Sequence, residues 1–254
     1  MASILCVDDD QYLMDLVRYA LERAGFAVLL ARTGREALSV VRSEKVNLVV
    51  LDSALPDLAG LTVLNLLRGF SRVPVIMLDA SMCEEDVIAG LQGGADDYVA
   101  KPFSVHVLIN RITAVLRRAR TPRESLLRRG AAYHAGTFIF DSGLNAVLAE
   151  DVHVELTPTE CHILHLLFLH AGHPLSAERI IEQVWGDARA RNIAVVKTHI
   201  KRLRRKIKTL PHSPEAIYTV PHAGYMVKHG DELSRHRSQA HDGEDLAALA
   251  QLRW

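Results

Sequence analysis

Long apolar runs are missing from this chain of 254 residues, as is a basic N-terminal stretch leading into an apolar segment and a cleavage site. No membrane span and no secretory leader are therefore expected, and the sequence reads as that of a cytoplasmic protein. Cysteine is scarce. Cys6, Cys83 and Cys161 are odd in number and unclustered, and two of them fall inside apolar patterns, so small buried hydrophobes are expected rather than a disulfide framework. Net charge is absent too, with 30 Lys/Arg against 30 Asp/Glu. That balance hides a split: residues 1–118 carry 12 basic against 15 acidic side chains, residues 119–229 carry 15 against 10, and the remainder 3 against 5. An acidic first half and a basic second half imply different partners for each.

What is present is a chain long enough for two domains, with hydrophobic and charged fractions of 49% and 24% that suit a globular protein. Four apolar runs in the first hundred residues end in charge: Ser3 to Val7 into Asp8 and Asp9, Asn47 to Leu51 into Asp52, Pro74 to Leu78 into Asp79, and Tyr98 to Ala100 into Lys101. Between them lie helical patterns near Gln11 to Ala24, from the Thr33 and Glu36 capping box to Ser43, around Leu61 to Gly69, near Glu84 to Gln92, and from Ser104 to Ala119. This βα alternation predicts a doubly wound parallel sheet, the α/β class, with ligands at the carboxyl ends of its strands. There the tips would gather carboxylates and one ammonium. A carboxylate that attacks a phosphoryl group meets its own charge repulsion, so it needs a divalent cation and a fixed positive side chain. Asp8, Asp9 and Asp52 offer the hard oxygen ligands that Mg²⁺ takes, and Lys101 would bind a phosphoryl oxygen.

The strings ILCVDDD, VVLDSALPDLAG, PVIML and GADDYVAKPF resemble the receiver domain of two-component response regulators over residues 3 to 118. The resemblance implies a five-stranded, flavodoxin-like sheet and a domain over residues 1–119. It also implies Asp52 as phosphoacceptor, Asp8, Asp9 and the Ala54 carbonyl as further Mg²⁺ ligands, Lys101 as phosphate contact, Tyr98 as aromatic switch, and a cis Lys101-Pro102 bond. One position departs from the pattern. Asp79 stands where receivers carry Thr or Ser, and a second carboxylate about 4 Å from a phosphoryl oxygen would cost roughly 4 kcal/mol at an effective dielectric of about 20. Three readings are open for it: pairing with Lys101, swinging away while Ser81 substitutes, or weakening a phosphorylation that still happens.

Receivers joined to winged helices share a charged dimer surface, and Asp97 with Arg111 and Asp96 with Arg118 match two of its ion-pair positions. The third pair is replaced by Val87 and Val107. That would exchange an exposed pair worth about 0 to 1 kcal/mol for aliphatic burial, and a symmetric dimer through this face is expected.

Residues 120–134 break the alternation with Thr121, Pro122, Gly130 and an arginine cluster, and read as a linker holding a short extension of the preceding helix. Then come short strands at Thr137 to Asp141, Ala146 to Glu150 and His153 to Leu156. A helix opens at Thr157-Pro158-Thr159-Glu160, and a second is capped by Ser176 and ends near Trp185. In a third helix, Asn192 to Lys208, Ile193, Val196, Ile200, Leu203 and Ile207 form the inward stripe. The remaining surface carries Lys197, Thr198, His199, Lys201, Arg202, Arg204, Arg205, Lys206 and Lys208, with no acidic residue among them. A cationic face on a short helix suits the major groove of double-stranded DNA.

With ELTPTE, the Trp185-Gly186 helix end, HIKRLRRKI and the TVPHAGY hairpin, residues 135–229 resemble the α+β winged helix-turn-helix domain of the OmpR/PhoB subfamily. The resemblance implies base or phosphate contacts from Lys197, Thr198, His199, Lys201, Arg202, Arg204 and Arg205. His222 would lie at the wing tip, and Gly186 to Arg191 would form a segment able to touch RNA polymerase. Ala194, Val195 and Pro221-His222 depart from the usual polar residues, so an unusual operator and a weaker wing contact are expected.

Cys161, His162, His165, His170 and His173 lack four-ligand zinc spacing, and residues 230–254 form a polar tail without a readable role. Together these features predict a response regulator phosphorylated by a sensor histidine kinase on Asp52, dimerising on promoter DNA. Two rivals are a phosphate-independent regulator, for which Asp79 argues, and a phosphatase of related topology, against which the basic helix and wing argue.

Overall fold

The computed structural model describes residues 1–80, 90–126, 132–135, 138–186, 193–211 and 215–227. Strands β1 (Ser3–Val7), β2 (Ala27–Ala31), β3 (Leu48–Asp52), β4 (Val75–Asp79) and β5 (Asp97–Ala100) form one parallel sheet in the order β2-β1-β3-β4-β5. Every residue of β3 is buried, as a strand covered on both faces requires. On one face Met14, Val17 and Leu21 of α1 (Gln11–Arg23) and Leu108, Ile112 and Val115 of α4 (Val105–Leu126) pack on Ile4, Val50 and Ile76. On the other, Ala37 and Leu38 of α2 (Gly34–Ser43) and Val63, Leu64 and Leu67 of α3 (Gly60–Arg68) pack on Leu5, Val49 and Met77. Full burial of each such side chain is worth about 1.5–3 kcal/mol.

Local chemistry starts these helices where the sequence signals them. Asp10, third of the acidic run, accepts the Tyr12 and Leu13 N–H groups and is thus a cap for α1 rather than part of the strand-tip cluster. Thr33 accepts the Glu36 N–H, while the Glu36 carboxylate reaches one residue past it to the Arg32 N–H. Asp57 accepts the Gly34 and Arg35 N–H groups, tying the loop after β3 to the start of α2.

The second domain opens on an antiparallel sheet of β6 (Ala132–Ala135), β7 (Phe138–Asp141), β8 (Ala146–Ala149) and β9 (Val152–Glu155). Three helices follow, α5 (Pro158–Leu169), α6 (Ala177–Trp185) and α7 (Ala194–Ile207), and then the hairpin β10 (Ile217–Val220) and β11 (Gly224–Val227). The capping box at Thr157 is complete, with Glu160 accepting the Thr157 N–H. Gly224 has φ +119°, and a Cβ there would lie 1.9 Å from the Leu175 carbonyl oxygen, because the Leu175–Tyr225 bridge ties the hairpin to the chain before α6.

One boundary differs from the sequence reading. Helix α4 runs on to Leu126 as an extension within the linker, but β6 (Ala132–Ala135) begins at residues assigned to that linker. A strand this short shows no period; it is held by packing, with Tyr133 stacked on Phe140 and Phe168. The helix expected near Glu84 to Gln92 lies largely outside the described residues.

Candidate phosphoacceptor site and nucleic-acid interface

The strand tips converge. Lys101 Nζ lies 2.7 Å from Asp8 Oδ2 and 2.8 Å from Asp52 Oδ1, and both carboxylates are buried while Asp9 is exposed beside them. Ligand oxygens of Asp8, Asp9 and Asp52 come within 4.8 Å of one another, the one convergent His/Cys/Asp/Glu group found among the described residues. Three hard oxygen donors of this kind fit Mg²⁺, which takes carboxylates and keeps water on its other positions. Burial pushes the Asp52 carboxyl above its ordinary range, and the nearby Asp8 charge adds to that against the opposing pull of Lys101. For Lys101, burial opposes the ammonium, but the hydrogen bonds to Asp52 and Asp8 outweigh it and the net shift is upward.

Glycine makes this cluster possible. A Cβ on Gly60 would lie 2.1 Å from the Asp52 carbonyl oxygen, so the N-terminus of α3 can approach β3 only without a side chain. The Ala54 N–H hydrogen-bonds the Asp52 carboxylate, and Ala54 pairs with Ala59 in an isolated bridge. Asp79 ends β4, half-buried, and its carbonyl oxygen accepts the Lys101 N–H. Lys101-Pro102 is cis. Tyr98 is half-buried against the α2–α3 side of the core. Ser81 lies outside the described residues.

The expected dimer-face residues do not form one exposed patch. Asp97 pairs with Arg111 at 3.2 Å within the chain, and Val107 is exposed. Asp96 and Arg118, expected on the surface, are buried instead. Asp96 pairs with Arg68 at 3.3 Å and accepts the Thr159 N–H at 3.3 Å, while Arg118 donates to the Thr159 hydroxyl at 2.9 Å. The reason is that α5 of the second domain packs on α4 and covers both side chains. Val87 lies outside the described residues.

The basic helix α7 is divided by the same contact. Arg202 donates to the carbonyl oxygens of Leu91 at 3.0 Å and Ala95 at 3.5 Å in the first domain, and pairs with Glu160 at 2.9 Å. Thr198, His199 and Arg202 are buried, so in this arrangement none of the three is presented to DNA. Arg204 is turned onto the hairpin, donating to the Ile217 carbonyl and the Thr219 hydroxyl. Lys197, Lys201 and Arg205 remain exposed along α7. They help line a cleft of about 1040 Å³ that also touches Gln92, Lys208 and Tyr218. His222 is exposed in the hairpin turn with φ +61°.

Sequence reasoning missed Glu160 as anything but a cap. Fully buried, it pairs with Lys206 at 2.7 Å as well as with Arg202, and despite the cost of burial these cations hold its carboxyl down at about 2. No local signal could have revealed this, since the partners are more than forty residues away. Cys161 is buried and desolvation pushes its thiol up to about 12, which suits a core residue and not a metal ligand. Residues 187–192, most of the segment expected to meet RNA polymerase, lie outside the described residues.

Comparison with known proteins agrees with this geometry. Residues 4–113 match the response regulator receiver domain, and residues 150–227 match the C-terminal domain of transcriptional regulatory proteins. The chain is 39% identical over 220 residues to the probable transcriptional regulator ycf27 of Porphyridium aerugineum, covering 85% of this chain and 92% of that protein. It is 35% identical over 217 residues to the DNA-binding response regulator MtrA of Mycolicibacterium smegmatis, with the same two coverages, 85% and 92%. The solved structure of a RitR mutant superposes with a TM-score of 0.75 at 22% identity, covering 91% of this chain and 100% of that one, which supports the two-domain fold. No helix among the described residues is long and apolar enough to cross a membrane. With a receiver whose strand tips gather Asp8, Asp9, Asp52 and Lys101, followed by a winged helix, the chain belongs to the OmpR/PhoB family of two-component response regulators.

Proposed function

We propose that this regulator takes a phosphoryl group from the phosphohistidine of a sensor kinase onto Asp52 and then dimerises on promoter DNA. The N–P bond of the donor breaks and a bond from an Asp52 carboxylate oxygen to phosphorus forms. Mg²⁺, held by Asp8, Asp9 and Asp52 with the Ala54 carbonyl, would supply the positive charge that lets an anion attack an anion. Lys101 contributes a second cation: its ammonium, already hydrogen-bonded to Asp52, orients the nucleophile and meets the incoming phosphoryl oxygens. The observation that carries the reading is this one ammonium bridging Asp8 and Asp52 beside Asp9.

Base and phosphate contacts come from Lys197, Thr198, His199, Lys201, Arg202, Arg204 and Arg205, with His222 at the wing. The dimer uses the face of Val87, Asp96, Asp97, Val107, Arg111 and Arg118. Both require that the contact burying Asp96, Arg118, His199 and Arg202 first part. Phosphorylation then acts by shifting an existing equilibrium between the closed chain and one with α7 free. The segment after Gly186 would meet RNA polymerase, and the protein works in the cytoplasm without catalysing a reaction on a separate substrate.

Incubation with Mg²⁺ and acetyl phosphate, followed by intact mass measurement, tests the chemistry. One phosphoryl adduct is expected in the wild type and none in Asp52→Asn; no adduct, or one that survives the substitution, overturns it. Asp79 favours a second reading, a regulator that works without phosphate. Binding-site selection on random duplexes with and without acetyl phosphate separates the two, since identical affinity in both arms supports the second.

A further inference from the structure

His199 is an unusual residue to bury. It flanks the inward stripe of α7, it is fully buried, and neither Nδ1 nor Nε2 finds a hydrogen-bond partner. Buried polar atoms without partners cost stability, so a fold that keeps one has left a site of weakness. Its neighbours come from four elements besides its own. Trp185 of α6 packs against the ring, with centroids 5.6 Å apart; Glu160 of α5, Arg118 of α4 and Asp97 of β5 act on it electrostatically, as does Arg202 one turn along α7. Arg118 and Asp97 belong to the receiver, and Arg118 also lies over the Trp185 ring at 5.6 Å. The imidazole therefore lies beside the contact between the domains, with a guanidinium from each acting on it.

We propose that His199 is a proton-sensitive latch: neutral, it fits the closed contact between receiver and recognition helix, and protonated, it drives the two apart. A proton added to the buried ring would have no acceptor for either N–H and would put a third cation beside Arg118 and Arg202. Once α7 is released, the same imidazolium is hydrated and lies on the helix face read as meeting DNA phosphates, where its charge helps. Acid thus favours the released form at both ends of the equilibrium. This rests on α7 being the DNA-reading helix only for its consequence; opening itself is measured without DNA.

The sign follows from linkage. Burial, then the Arg202 charge, lowers the closed-state imidazole from its ordinary 6.5 to about 3. The open state therefore binds more protons below about pH 6.5, and closure weakens progressively as pH falls from there toward 3. Between about pH 7.5 and about pH 5.5 the opening constant should rise about tenfold. His162 on α5 is also lowered, to about 4, by burial and by Arg118, and must be separated from His199.

The backbone N–H of Thr159 is the reporter, because its hydrogen bond goes to Asp96 of the receiver and breaks when the domains part. Hydrogen exchange of this amide in the full chain, corrected for the intrinsic rate at each pH, gives the opening constant even when the open form is rare. Protection is expected to fall about tenfold from about pH 7.5 to about pH 5.5 in the wild type and in His162→Gln. In His199→Gln it is expected to stay within about twofold. Flat protection in the wild type, or an equal fall in His199→Gln, overturns the proposal. Should His199→Gln fail to close at all, the ring signals of His199 in the wild type decide: titration near pH 6.5 with the Thr159 amide still protected also overturns it.

Discussion

Arg118 donates from Nη1 to the hydroxyl of Thr159 at 2.9 Å, joining the receiver's last helix to the first helix of the DNA-binding domain. Asp96 accepts from the backbone N–H of the same threonine at 3.3 Å. One threonine thus occupies Asp96 and Arg118, two of the four charged receiver residues that the dimer reading uses. On that reading closure and dimerisation would draw on the same atoms and compete.

Thr159→Val keeps the shape and removes the hydroxyl. Arg118 would then lose a buried acceptor, which costs about 1–3 kcal/mol, and the closed arrangement bears that cost alone. Duplex affinity of the unphosphorylated protein is expected to rise about tenfold by fluorescence anisotropy at fixed salt, since about 1.4 kcal/mol corresponds to a factor of ten. Unchanged affinity would mean that the hydroxyl contributes nothing to closure.

Glu160→Ala acts on stability. Its carboxylate neutralises Arg202 and Lys206 in a buried site, and removing one partner of a buried pair typically costs about 3–5 kcal/mol. The carboxyl is lowered from 4.5 to about 2, so its contribution is fully present above about pH 4.5 and is lost as pH falls toward 2. Urea midpoints of wild type and variant should be far apart at neutral pH and draw together near pH 2. A gap that does not narrow would show that packing, not charge, was lost.

Gly60→Ala pits two effects against each other. Alanine in a helix gains about 1 kcal/mol over glycine in intrinsic propensity, yet here its methyl would lie 2.1 Å from a backbone oxygen of Asp52. Backbone cannot rotate aside as a side chain can, so the clash wins. The thermal midpoint of the receiver should fall and the rate of adduct formation with acetyl phosphate should fall with it; a rise in midpoint would contradict the close approach.

Much of this site could be read from the chain because each strand ends where its apolar run meets charge. The runs Ser3–Val7 and Leu48–Asp52 are buried on both faces, so a change from apolar to acidic residues marks the sheet's edge as well as its chemistry. Asp8, Asp9, Asp52 and Lys101 follow from that directly. The inward stripe of α7 was legible from a period of three to four: Val196, Ile200, Leu203 and Ile207 are buried as it requires, while Ile193, at the start of the helix, is exposed. Strand β6 was not legible, because Ala132-Tyr133-His134-Ala135 is too short for a period and depends on rings from elsewhere in the chain.

The outward half of α7 marks where sequence and tertiary structure part. Its residues alone determined that the helix is cationic and that one stripe faces a core, since charge and periodicity are properties of a segment. Which cations stay in water was decided by the receiver: Lys197, Lys201 and Arg205 remain exposed, whereas Arg202 is buried against it. The partners that make this tolerable for Arg202, the Leu91 and Ala95 carbonyls and the Glu160 carboxylate, lie some 40 to more than 100 residues away along the chain. A local pattern records hydrophobicity and charge, but desolvation depends on what folds back over the helix, and only the assembled chain supplies that.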